Sequence, residues 1–175
     1  MAGAGCCGRF ASKPPTTRPA AAGLTPLRPI ETVDAWCDPP TGWRREPLRK
    51  DAQHEHEIWI SPSEDTAYGV VVIYLPLPVG SDLILWGFLN HLRQKEHEAT
   101  LISKQHDDAL PGMRFVAESA KYRLRVNLIV HGWRAWAVYA GTLKSKPLNA
   151  RELALAEQAR EQTRVGLPPA EASTK

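Results

Sequence analysis

The stretch KYRLRVNLIVHGWRAWAVYAGTL, residues 121–143, decides the fold. In its first half Leu124, Val126, Leu128 and Val130 alternate with Arg123, Arg125 and Asn127, the period of two that gives a strand one apolar face. A second run, Trp133 to Leu143, follows after only His131 and Gly132. Two residues suffice for a hairpin loop, and glycine supplies the positive φ that such a loop needs. This loop predicts that Val130 faces Trp133 and Val126 faces Ala137, with Asn127 beside Trp136. The opposite face of the ribbon is then mixed, apolar at Ile129, Trp136 and Val138 but basic at Arg123, Arg125 and Arg134.

Upstream, Ala67 to Leu75 carries the nearly continuous apolar run Val70 to Tyr74, which predicts a central strand covered on both faces. Before it, His54 to Ser61 alternates: His54, His56, Ile58 and Ile60 share one side, Glu55, Glu57 and Trp59 the other. Pro76 and Pro78 end the central strand, and Ser81 is placed to cap a helix running to about Ala99 with Leu85, Phe88, Leu89 and Leu92 on one stripe. Leu101 to Ser103 reads as a short strand, and Arg114 to Ser119 as the strand leading into the hairpin. Downstream, Asn149 and Glu152 have the spacing of a capping box for a last helix that ends near Arg164. The residues therefore predict an α+β domain, an antiparallel sheet of five or six strands with two helices against it.

The domain is bounded by composition. The 15 prolines fall largely before residue 48 and at the C-terminal end. Residues 1–34 thus read as a tether, 35–164 as one α+β domain and 165–175 as a tail. Within the tether, the small residues Gly3, Ala4 and Gly5 before Cys6 match what surrounds a lipidated bacterial cysteine, which makes Cys6 a candidate lipidation site and points to a cell-envelope location, the alternative being the cytoplasm. Apolar residues at 43% and charged ones at 23% are those of a folded protein. A net charge of +3, from 22 basic and 19 acidic side chains, gives little long-range attraction for nucleic acid. No apolar run is long enough for a membrane span, so the expected membrane contact is through the lipid tether alone.

Chemical motifs are sparse. No G-x-S-x-G, G-x-G-x-x-G or Walker-type glycine loop occurs. The three cysteines, Cys6, Cys7 and Cys37, lack the two pairs of a structural zinc site, and Cys37 reads as a half-buried small residue. His54 and His56, two apart on a strand, could face one metal ion, with His91 or His106 as distant third ligands; surface or structural roles account for them equally, so no metal and no cofactor is assigned. Asp107 and Asp108 read as a loop rather than a catalytic carboxylate pair. Of the six tryptophans, Trp43, Trp133 and Trp59 are expected in the core or at its edge. Trp136, beside Arg123, Arg125 and Arg134, is the candidate for binding a partner, since exposed Trp and Arg contribute heavily to interfaces.

From Pro40 to Gln162 the order of elements resembles the Mog1/PsbP-like superfamily. The resemblance rests on the opening segment Pro40-Thr41-Gly42-Trp43, on the element order, and on the strand from Trp136 to Gly141 followed by the helix at Asn149. It implies an antiparallel sheet flanked by helices on both sides, an α/β/α sandwich. That group includes nuclear-transport adaptors, extrinsic subunits of the oxygen-evolving complex and bacterial envelope proteins. The expected function is accordingly a non-catalytic, protein-binding accessory module of the bacterial envelope. The alternative is a small-molecule or metal-binding domain, an enzyme included. A pocket with convergent polar groups would favour the alternative, and a flat apolar patch with a polar rim the first reading.

Overall fold

The computed structural model describes residues 27–50, 53–107 and 111–166. In chain order the elements are β1 (Arg28–Ile30), a 3-10 turn (Glu31–Val33), β2 (Ala35–Cys37), β3 (Arg44–Arg45), β4 (Arg49–Lys50), β5 (His54–Ile60) and β6 (Thr66–Tyr74). Helix α1 (Ser81–Glu96) follows, then β7 (Ala99–Asp107), β8 (Gly112–Ser119), β9 (Tyr122–His131), β10 (Arg134–Leu143), helix α2 (Ala150–Gln162) and β11 (Arg164–Val165). Among the described residues β3 to β10 build one antiparallel sheet in the order β3-β5-β6-β10-β9-β8-β7, with β4 also on β5. The chain leaves the centre at β6, crosses through α1 to the far edge at β7, and returns strand by strand until β10 pairs with β6. Those two strands are central because Val70, Val72 and Val138 must be buried on one side and Ala135 and Ala137 on the other.

The hairpin forms, but its loop is Gly132-Trp133 rather than His131-Gly132. Arg134 pairs with His131, Trp136 with Ile129 and Val126 with Tyr139. Gly132 has φ 59 and Trp133 keeps a negative φ, the pattern of a II′ loop, which reserves its first position for glycine. Partners therefore shift by two residues. A shift of two preserves the faces, so the division into an apolar and a mixed row stands although each pair is different.

Each face of the large sheet carries its own core. On one face Ile84, Leu85 and Leu89 of α1 pack on Met113, Phe115, Ala117, Val126, Leu128, Ala135 and Ala137. On the other, Ala156 and Ala159 of α2 pack with Trp59, Tyr68, Val70, Val72, Trp136 and Val138. That second face is also covered by a three-stranded sheet, β1-β2-β11, which with the 3-10 turn delivers Val33, Ala35 and Cys37 into the same core. The expected α/β/α sandwich is thereby corrected. The fold is β-rich, 49% strand and 24% helix, with two helices among the described residues. The reason is partly local: residues 28–34, tether-like in composition, form β1 and the 3-10 turn, so strands take a place where a helical layer was expected. Leu101 to Ser103 likewise belongs to a nine-residue strand, β7, with a bulge between Leu101 and Ser103. No described helix is long and apolar enough to cross a membrane. Cys6 and Asp108 lie outside the described residues.

Candidate functional site

The large sheet is wider than one helix. Helix α1 sits mainly over β7, β8 and β9, with Val71 and Ile73 of β6 packed on the edge of the same cluster, and it leaves the part of that face around Ile58, Ile60 and Ala67 less covered. On this part Ile58, Ile60, Ala67, Tyr139 and Leu143 are only half-buried. With Phe88 and Leu92 on the flank of α1 as the opposite wall, they enclose a groove of about 430 Å³, completed by Leu124 and Gly141. Phe88 is fixed there by an edge-on contact with Phe115, ring centroids 5.4 Å apart.

Two glycines keep the floor low. A Cβ on Gly69 would stand 2.5 Å from the Cζ and Oη atoms of Tyr139, so the phenol lies against the bare backbone of β6. A Cβ on Gly141 would meet Leu124 Cδ2 at 2.8 Å. Burial raises the Tyr139 phenol far above its usual range, and the nearby Arg49 guanidinium offsets this only in part. The hydroxyl therefore stays protonated and is a neutral hydrogen-bond donor. It makes no hydrogen bond to another described residue.

The polar rim is uneven. At the Ile60 end, Glu46 and Glu64 both pair with Arg44, the latter at 3.6 Å. Asp65 accepts hydrogen bonds of 2.7 Å from Ser63 Oγ and from Thr66 Oγ1. Burial alone would raise its carboxyl, but these bonds and those from the start of α2 hold it below the ordinary range. At the other end Arg49 lies opposite His56 in the register, is exposed, and makes no ion pair with a described residue.

The residues singled out in the sequence are placed differently. Arg123, Arg125, Arg134 and Trp136 do share one face, but it is the face under α2. Trp136 is 2% exposed, its indole Nε1 donates to the Val33 carbonyl at 2.9 Å, and its ring edge lies against Gly166, where a Cβ would come within 2.9 Å. It is a core residue, which corrects its assignment to partner binding. The arginines are engaged: Arg123 with Glu118 at 3.3 Å, Arg125 with Glu157 of α2, and Arg134 with Asp34 at 2.5 Å while also lying over the Tyr74 ring. Trp43 and Trp59 are buried as expected, whereas Trp133, expected in or near the core, is 60% exposed in the hairpin loop. His54 and His56 share a face, and α1 brings His91 to His54 with ring centroids 6.4 Å apart. His106 lies elsewhere, 4.0 Å from Asp82. Among the described residues no group of three or more His, Cys, Asp or Glu converges on one point.

Glu57, read in the sequence only as one of the alternating residues of its strand, is fully buried beside the 3-10 turn. Arg45 donates two hydrogen bonds to it, at 2.7 and 2.6 Å, and Thr32 Oγ1 a third at 2.6 Å. Burial would raise this carboxyl, but the donors and the Arg45 charge outweigh it and hold the group below the usual carboxylate range. The groove itself was missed, although Gly69 and Gly141 inside strands are the signal of a close approach to the backbone.

No family model matches the chain, and no curated protein matches it. Among solved structures, a crystal structure from Bacteroides thetaiotaomicron VPI-5482 is similar over 83% of this chain and 48% of its own, at 13% identity and a TM-score of 0.39. The chain spans about half the length of that protein, and a likeness this slight carries no argument; the Mog1/PsbP-like superfamily is named by none of these findings.

Proposed function

We propose that the domain binds a small, largely apolar ligand in the groove between α1 and the β5-β6 half of the sheet. The observation that carries this reading is the half-covered apolar floor of Ile58, Ile60, Ala67 and Tyr139 under a wall of Phe88 and Leu92. A groove of about 430 Å³, mainly apolar with a few polar groups at its rim, falls in the size range of small-molecule sites. The alternative weighed in the sequence, a ligand-binding domain, thus gains support over docking through the Trp136 face, which α2 covers.

The test is titration with N-phenyl-1-naphthylamine, a neutral dye that brightens in apolar surroundings. Saturable binding at one site per chain is expected, and Ala67→Phe, which fills the floor from a half-exposed position, is expected to abolish it while leaving the urea midpoint close to that of the parent. Non-saturable binding, or equal binding by the variant, overturns the reading.

A second reading, docking of a protein partner at a bacterial envelope, has one observation in its favour. Trp133 and Leu77 are 60% and 54% exposed on adjoining turns, joined by the hydrogen bond from Leu75 N–H to the Trp133 carbonyl. Lipid attachment at Cys6 belongs to that reading and is tested by mass spectrometry of the protein from its natural host.

A further inference from the structure

We infer that the ligand of the groove carries an anionic head group, a carboxylate, seated between the Arg49 guanidinium and the Tyr139 hydroxyl, with its apolar tail over Ile58 and Ile60. The inference rests on the reading of the groove as a small-ligand site and adds the chemistry of one end of it. Both head-group residues line the groove, and Arg49 is close enough to Tyr139 for its charge to bear on the phenol.

Charge at the rim points to an anion at this end. The acidic residues that also line the groove are already satisfied, Glu46 and Glu64 by Arg44 and Asp65 by Ser63 and Thr66. Arg49 has no such partner among the described residues. A guanidinium presents its donors as a planar fork that matches the two oxygens of a carboxylate. Tyr139, held protonated by burial, adds a donor from the floor. A cationic head group would meet Arg49 without compensation, and a neutral one would leave the fork to water. The apolar floor continues from Tyr139 to Ile58 and Ile60 and the wall from Phe88 to Leu92, so a single-chain amphiphile fits the order of surfaces from rim to interior.

The experiment is displacement of N-phenyl-1-naphthylamine by three probes with the same tail, decanoate, 1-decanol and decylammonium, at neutral pH and low salt. Decanoate is expected to displace the dye about tenfold more effectively than decanol, with decylammonium weakest; the figure is the low end for a charge-assisted pair because Arg49 is exposed. Arg49→Gln is expected to remove the preference for decanoate while leaving decanol unchanged, and Tyr139→Phe to reduce it. Arg123→Gln, on the opposite face, is expected to leave all three unchanged and controls for net charge. Rising salt is expected to narrow the preference. If decanoate and decanol displace equally, or if the preference survives Arg49→Gln, the head-group assignment is overturned while the groove still binds apolar ligands. If the dye itself does not bind saturably, the assignment falls together with the groove reading.

Discussion

Replacing Trp136 by Ala tests whether the mixed face of the hairpin is core or surface. A buried tryptophan removes about 200 Å² from water, which at about 25 cal/mol per Å² is about 5 kcal/mol as an upper figure. Partial burial in the unfolded chain lowers this, and the Val33 carbonyl, left without the indole N–H, adds about 1 kcal/mol of cost. The expected loss is about 4 kcal/mol, inside the span of aromatic-to-alanine changes in cores. Trp133 is 60% exposed, so the same reasoning gives Trp133→Ala only about 1.5 kcal/mol. Urea unfolding followed by far-UV circular dichroism measures both, with an unchanged slope as the check that the transition remains two-state. Should Trp136→Ala fail to fold, Trp136→Phe keeps most of the ring and is expected to cost about 1–2 kcal/mol. Equal losses at the two positions, or a loss below about 1 kcal/mol for Trp136→Ala, would refute the placement of Trp136 beneath α2 and the small sheet.

Glu57→Gln removes a buried acceptor from Arg45 and Thr32 and is expected to cost about 1.5–3 kcal/mol at pH 7. Because the folded carboxyl is held below its unfolded value, its contribution is present above the unfolded pKa and disappears as pH falls through the folded one. The gap between parent and variant should therefore narrow below the ordinary carboxylate range; denaturation at pH 7 and pH 3 reads this, and a gap that widens in acid contradicts it. Burial pushes the Cys37 thiol up to about 11, more than the lowering effect of its Tyr68 hydrogen bond. Iodoacetamide at pH 8 is thus expected to leave Cys37 unmodified in the native protein and to label it in urea, as peptide mass spectrometry would show; rapid native labelling would mean that the small sheet does not cover it.

Much of the large sheet was legible because its signals are local. The alternation in residues 122–131 and the apolar run of β6 each follow from the period of their own residues. The hairpin loop was misplaced by one residue because glycine serves in either loop position, at the second in I′ and the first in II′, and local composition does not choose between them. The small sheet was illegible for a different reason. β1 and β2 are three residues each and β11 two, too short to show a period, and their burial comes from partners far along the chain. Glu57 shows the same effect: its strand alternates as read, but which face is buried depends on whether residues 28–37 fold over it. Trp136 and Trp133 exchange expected roles because the covering layer, not the ring, decides exposure.

The pairing of β11 with β2 sets a condition on synthesis. Val165 lies opposite Ala35, and Gly166 N–H closes on the Asp34 carbonyl, so segments near the two ends of the described residues share one seam. During vectorial translation the large sheet can assemble once β10 has left the ribosome. The seam cannot. Until Val165 clears the exit tunnel, the third strand of the small sheet is missing and the nascent domain stands unlatched, a substrate for chaperones along the side that Cys37 and Trp136 occupy in the finished protein.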